Sequence, residues 1–93
     1  MTMPLADREI EQRLTGSAWS REGQAIVREL KFADFAGAIA FVNLVAELAE
    51  RANHHPDMLV HGWNRVRLTL STHSQGGLTE ADFALADEID RLQ

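Results

Sequence analysis

The sequence predicts a single α+β domain with its elements in the order αββαββα, and three observations carry that reading. Runs with apolar residues at helical spacing are interleaved with two pairs of runs in which apolar and polar residues alternate. Turn-forming residues stand at the breaks, among them Gly16, Gly23 and Asn53. Ninety-three residues leave room for one core, so residues 1–93 form one domain. Consecutive strands pair most simply as hairpins, giving a four-stranded antiparallel sheet with helices packed on one face.

Residues 7–14 place Ile10 and Leu14 four apart and stop at Thr15-Gly16, which fits a short helix. Trp19 to Arg21 and Ala25 to Phe32 flank Glu22-Gly23 as a hairpin, with Ile26, Leu30 and Phe32 on one parity and Arg28 interrupting it. Asp34 can cap a long helix from about Phe35 to Ala52. Its apolar positions cover more than half the helical wheel, and Asn43, Glu47, Glu50 and Arg51 form the polar stripe. Ile39, Val42, Ala46 and Ala49 suffice to face a sheet, which leaves Phe41, Leu44 and Leu48 on a flank that another subunit can cover. Met58 to Trp63 and Arg65 to His73 make the second strand pair. Val66, Leu68 and Leu70 share one face, and Arg67, Thr69 and Ser71 share the other with His73. Thr79 and Asp82 then have the spacing of a capping box before a helix reaching about Leu92, with Leu78 and Phe83 placed as its hydrophobic staple.

Composition excludes several function classes. With no cysteine, thiol redox chemistry, thiolate zinc sites and disulfide scaffolds are absent. Nine Lys and Arg against fourteen Asp and Glu give a formal charge of −5, which disfavours direct nucleic-acid binding. The residues from Met1 to Ala6 do not read as a secretory leader and no apolar run is long enough to span a membrane, so a cytoplasmic protein without membrane attachment is expected.

Chemistry concentrates at the element ends. His54 and His55 follow the long helix and His73 stands where a strand gives out, and an ordinary imidazole exchanges protons near neutral pH. On spacing alone His54-His55-Pro56 also fits a plain helix stop, and Asp82 fits ordinary capping. The four histidines offer enough nitrogens for zinc on paper, but adjacent histidines suit one tetrahedral ion poorly, and no metal is expected. Trp63 reads as a half-buried strand aromatic.

Taken together, these residues resemble the pterin-4a-carbinolamine dehydratase family. Its pattern asks for an acidic residue, three intervening positions, two histidines and a proline, an aromatic, a histidine and an aspartate. Here Glu50, His54-His55-Pro56, Trp63 after six residues, His73 after nine more and Asp82 after eight more supply it. The stretches Leu70-Ser71-Thr72-His73 and Gly76-Gly77-Leu78-Thr79-Glu80 are also similar to the family, and the likeness is densest over residues 47–92. The resemblance implies a hydro-lyase that dehydrates 4a-hydroxytetrahydropterin to quinonoid dihydropterin, in tetrahydrobiopterin-type recycling, without a cofactor. It implies His54, His55 and His73 as the catalytic set, with His54 and His73 exchanging protons and His55 holding the pterin. Glu50, Pro56, Trp63 and Asp82 would bind or orient. The alternative is a non-enzymatic oligomeric module that recruits a partner protein through an apolar helix face. Either way a homodimer or homotetramer is expected, joined through the 35–52 helix or a sheet edge.

Overall fold

A computed structural model describes residues 3–92. Their elements run α1 (Asp7–Leu14), β1 (Ser20–Glu22), β2 (Ala25–Lys31), α2 (Phe35–Ala52), β3 (Asp57–His61), β4 (Arg65–Leu70) and α3 (Glu80–Asp90), with a 3-10 turn at His73–Gln75. This is the expected αββαββα order. The sheet is antiparallel throughout, in the order β1-β2-β4-β3, so the two hairpins meet through β2 and β4 and leave β1 and β3 at the edges.

Register follows from the apolar alternation, because a slip by one residue would turn every core side chain to solvent. Ile26 lies opposite Leu70 and Leu30 opposite Val66, and these four, with Leu68, are buried beneath the helices. Ile10 of α1, Phe41 and Val45 of α2 and Leu85 and Ile89 of α3 join them in one core, so the helices share one face of the sheet. Arg28 has helix-face parity without breaking the pattern: its guanidinium reaches the rim and pairs with Asp90 of α3, which also accepts from Trp19 Nε1 at 2.9 Å.

The termini of α2 carry the expected caps. Asp34 accepts from the Gly37 N–H at 2.7 Å, and Asn53 takes the left-handed conformation (φ 50°, ψ 43°) with its N–H on the Ala49 and Glu50 carbonyls. The buried face of α2 differs from the expected one. Ala38, Phe41, Val45 and Ala49 are buried, which rotates the stripe by roughly 80° at about 100° per residue. Phe41 is therefore core, packed against Phe32 with ring centroids 5.0 Å apart. The physical reason is bulk: an aromatic side chain releases the most water when it takes the deepest position. Ile39, Val42 and Ala46 become one half-covered flank, and Leu48 with the exposed Leu44 the other.

Two further expectations are corrected. The fourth strand ends at Leu70 rather than running to His73, because Thr72 turns back to bridge Gly77 and the chain coils through the 3-10 turn. Trp63 is not a half-buried strand residue. It is 62% exposed at the tip of the β3–β4 hairpin, where Gly62 (φ 55°) and Trp63 (φ 57°) are both left-handed. A three-residue link between His61 and Arg65 imposes that geometry, and at a non-glycine residue it costs about 1–2 kcal/mol.

Phe41→Ala is expected to lower stability by about 3–5 kcal/mol in urea denaturation, and a loss under about 1 kcal/mol would place Phe41 on a solvent flank instead. Trp63→Asn should leave the urea midpoint unchanged or raise it, since asparagine tolerates the left-handed region and little packing is lost.

Candidate active site

The site is built from three chain ends that the helix layer draws together. After Asn53 the chain leaves α2 with the His54 N–H still bonded to the Ala49 carbonyl at 3.1 Å, and Pro56 forbids any further helical turn. The two imidazoles then diverge. His54 turns inward, its Nε2 at 2.6 Å from Asp82 Oδ1, whereas His55 turns outward, its Nε2 at 2.6 Å from Glu50 Oε2 on the last turn of α2. The His55–Glu50 pair is solvent-exposed, so it contributes little stability and acts on ring orientation.

Asp82 occupies the third position of α3 and has no solvent exposure. Its Oδ2 accepts from the Thr79 backbone N–H at 2.9 Å, the expected capping contact, and from the Thr72 hydroxyl at 2.7 Å. Its Oδ1 is left for His54. As a carboxylate it only accepts, so His54 donates Nε2–H and keeps a lone pair on Nδ1 in its neutral form. A residue with an ordinary capping role therefore also orients a histidine. Among the described residues, no buried side-chain nitrogen or oxygen lacks a hydrogen-bond partner.

Beside this network lies a cavity of about 390 Å³ on the sheet face away from the helices, lined by Gln24, Ala25, His55, Asp57, Thr69, Ser71, His73, Gly76 and Gly77. That volume is in the range of about 300–1,000 Å³ usual for small-molecule sites. Asp57 and Thr69 are register partners on the β3–β4 pair, and Ser71 continues their parity before donating to the Gln24 carbonyl at 2.9 Å. Carboxylate, hydroxyl, amide and imidazole groups thus surround one hollow and can match a polar heterocycle.

Of the residues expected from sequence, His55 and His73 line the cavity. Glu50 holds His55 without lining the cavity, and His54, half-buried and not in the lining, pairs with the fully buried Asp82. Pro56 shapes the turn and is not a lining residue. Trp63 stands at the far end of β3 from His55 and so gives no cover to this cavity within the chain. His61 is also at that far end, paired with Glu29 at 3.0 Å. Among the described residues no three His, Asp or Glu side chains converge as a metal site. Local sequence pattern does not single out Gln24, Asp57, Thr69 or Ser71 as lining residues. The strand parity of Thr69 and Ser71 was a usable signal, while Gln24 reaches the site only through pairing of distant strands.

Comparison with known proteins places the chain in a family. The Pterin 4 alpha carbinolamine dehydratase family matches residues 3–92. A provisionally named pterin-4-alpha-carbinolamine dehydratase from Chloroflexus aurantiacus is 53% identical over 89 residues, covering 95% of each chain. A relative with the same provisional name from Roseiflexus is 47% identical over 93 residues, covering 99% of each. Among solved structures, a transcriptional coactivator/pterin dehydratase from Brucella melitensis superposes with a TM-score of 0.88 at 35% identity, covering 95% of this chain and 96% of that one. A pterin dehydratase-like protein identified as a RuBisCO assembly factor in the alpha-carboxysome superposes with a TM-score of 0.67 at 28% identity, covering 81% of this chain and 88% of that one. With its whole described length matched and its histidine turns set around one cavity, the chain belongs to the pterin-4-alpha-carbinolamine dehydratase family.

Proposed function

We propose that the protein is an active hydro-lyase that converts 4a-hydroxytetrahydropterin to quinonoid dihydropterin and water, in the recycling of a tetrahydrobiopterin-type cofactor. The observation that carries this is the convergence of His55 and His73 on one cavity that Asp57, Gln24, Thr69 and Ser71 also line. In the reaction an acid protonates the C4a hydroxyl as the C4a–O bond breaks. The N5 lone pair forms the C4a–N5 double bond, and a base removes the N5 proton. One proton is given and one taken, so the pair of imidazoles returns to its starting total charge, and water is the only leaving group.

The cavity lining favours His55 and His73 as the proton-exchanging pair, with His54 outside the lining and held by Asp82. This exchanges the roles that the sequence suggested for the adjacent histidines. Glu50 holds His55 in place as Asp82 holds His54, and an imidazole ordered by a carboxylate keeps its tautomer through the cycle. Asp57, Gln24, Thr69 and Ser71 supply donors and acceptors for the amino and amide edge of a pterin.

A second reading is an oligomeric binding module. It is supported by the apolar residues left on the outer faces of α2, where Phe35 is 54% and Leu44 45% exposed, and by the likeness to an assembly factor. It is compatible with catalysis, since α2 packs on the sheet face opposite the cavity.

The dehydration of freshly generated 4a-hydroxytetrahydropterin, followed by ultraviolet absorbance, should be accelerated by the native protein. The His55→Ala/His73→Ala variant should lose about 10²–10⁴-fold of that acceleration while its circular dichroism stays native. A folded native protein with no effect on the rate would remove the dehydratase reading. Phe35→Glu/Leu44→Glu should lower the sedimentation mass, and an unchanged mass would show that α2 does not join subunits.

A further inference from the structure

The two histidine turns belong to separate parts of the chain, one after α2 and one after β4, and the strand pairing ends at Leu70 before it reaches His73. What joins them is the carboxylate of Asp82, and the residue that reaches it from the His73 side is Thr72. Three hydroxyl and carboxyl contacts meet there: Thr72 Oγ1 to Asp82 Oδ2 at 2.7 Å, Thr72 Oγ1 to Thr79 Oγ1 at 2.9 Å, and the Ala81 N–H to Thr79 Oγ1 at 3.2 Å.

Counting protons gives these contacts a direction. A threonine hydroxyl has one hydrogen to donate, and an ionised carboxylate has none. Thr72 must therefore spend its hydrogen on Asp82, because two acceptors at 2.7 Å would repel. Thr79 then donates to Thr72 while accepting from Ala81. The chain of donors ends on Asp82, whose remaining oxygen takes the His54 Nε2–H. Asp82 and Thr79 have no solvent exposure, so water cannot replace a missing partner.

The backbone of Thr72 is equally committed. It exchanges hydrogen bonds with Gly77 in an isolated bridge, and its carbonyl accepts from the Gln75 N–H at 3.0 Å, closing the turn that carries His73. His73 makes no side-chain hydrogen bond of its own among those of the described residues, so the orientation of its ring over the cavity depends on the residue at the root of the turn.

From this geometry we propose that Thr72 is a positioning residue: its hydroxyl, acting through Asp82, ties the His73 turn to the His54–His55 turn and sets the separation of the imidazoles around the cavity. The proposal deepens the dehydratase reading above and rests on it for its consequence in turnover. The tie itself has a readout that needs no turnover.

The test compares Thr72→Val, which keeps the shape and removes the hydroxyl, with Thr72→Ser, which keeps the hydroxyl and removes a methyl. Imidazole ¹⁵N spectra of the full chain report on each histidine, with the distant His61 as an internal control. Thr72→Val should move the His54 and His73 signals and leave His61 in place, and Thr72→Ser should restore them. In turnover, Thr72→Val should lower kcat about ten- to a hundredfold with a smaller change in KM, and Thr72→Ser should recover most of it. Unchanged His54 and His73 signals in Thr72→Val, at any rate of turnover, would overturn the proposal, as would Thr72→Ser moving them as far. If the native protein has no dehydratase activity, the functional reading falls and the spectra alone decide the tie.

Discussion

A carboxylate removed from water must find its hydrogen bonds inside the protein, and Asp82 finds three, from three different segments. One is its own helix start, one is the turn after β4 and one is the turn after α2. The fold positions the site through this requirement. Breaking one contact would leave charge in a place that solvent cannot reach, which gives the arrangement a single satisfied geometry. The same residue therefore ends a helix correctly and brings together two loops that the sheet does not join.

The sheet supports this by having two unlike faces. Under the helices it carries Ile26, Leu30, Val66, Leu68 and Leu70, all buried. On the open face the same strands carry a ladder of charge, in which Arg67 pairs with Glu22 at 2.6 Å and stands 3.8 Å from Glu29, which in turn holds His61. Each pair is exposed and individually weak, but together they keep this face wetted. The cavity opens where the ladder stops and smaller side chains, Ala25, Thr69 and Ser71, take over. A strand face with bulky charged residues at one end and small hydroxyls at the other is what leaves a hollow there.

The solved relatives include one described as a transcriptional coactivator/pterin dehydratase and one identified as a RuBisCO assembly factor. A shared scaffold thus carries several roles, and the site rather than the fold argues for catalysis in any one chain. In this chain the histidines, their carboxylate partners and a hollow are all present, the hollow lying on the side of the sheet away from the helices. The apolar flanks of α2 lie on the other side, where a contact with another protein would leave the hollow open.

By itself the sequence determined the element order, the strand parity and the caps at Asp34, Asn53 and Thr79. These are local properties: periodicity, capping chemistry and spacing are written within a few residues of one another. Tertiary structure decided the rest. It rotated α2 so that Phe41 entered the core, because burial is settled by what packs opposite a helix and not by the helix alone. It ended β4 at Leu70 and moved His73 onto a turn, because Thr72 gains a buried partner there. It sent His54 and His55, neighbours in sequence, to opposite sides of the site, and it held Trp63 and His61 at the far end of β3. Such outcomes depend on which elements pack together, as when His54 meets Asp82 across 28 positions, and helical or strand periodicity does not encode which of them will meet.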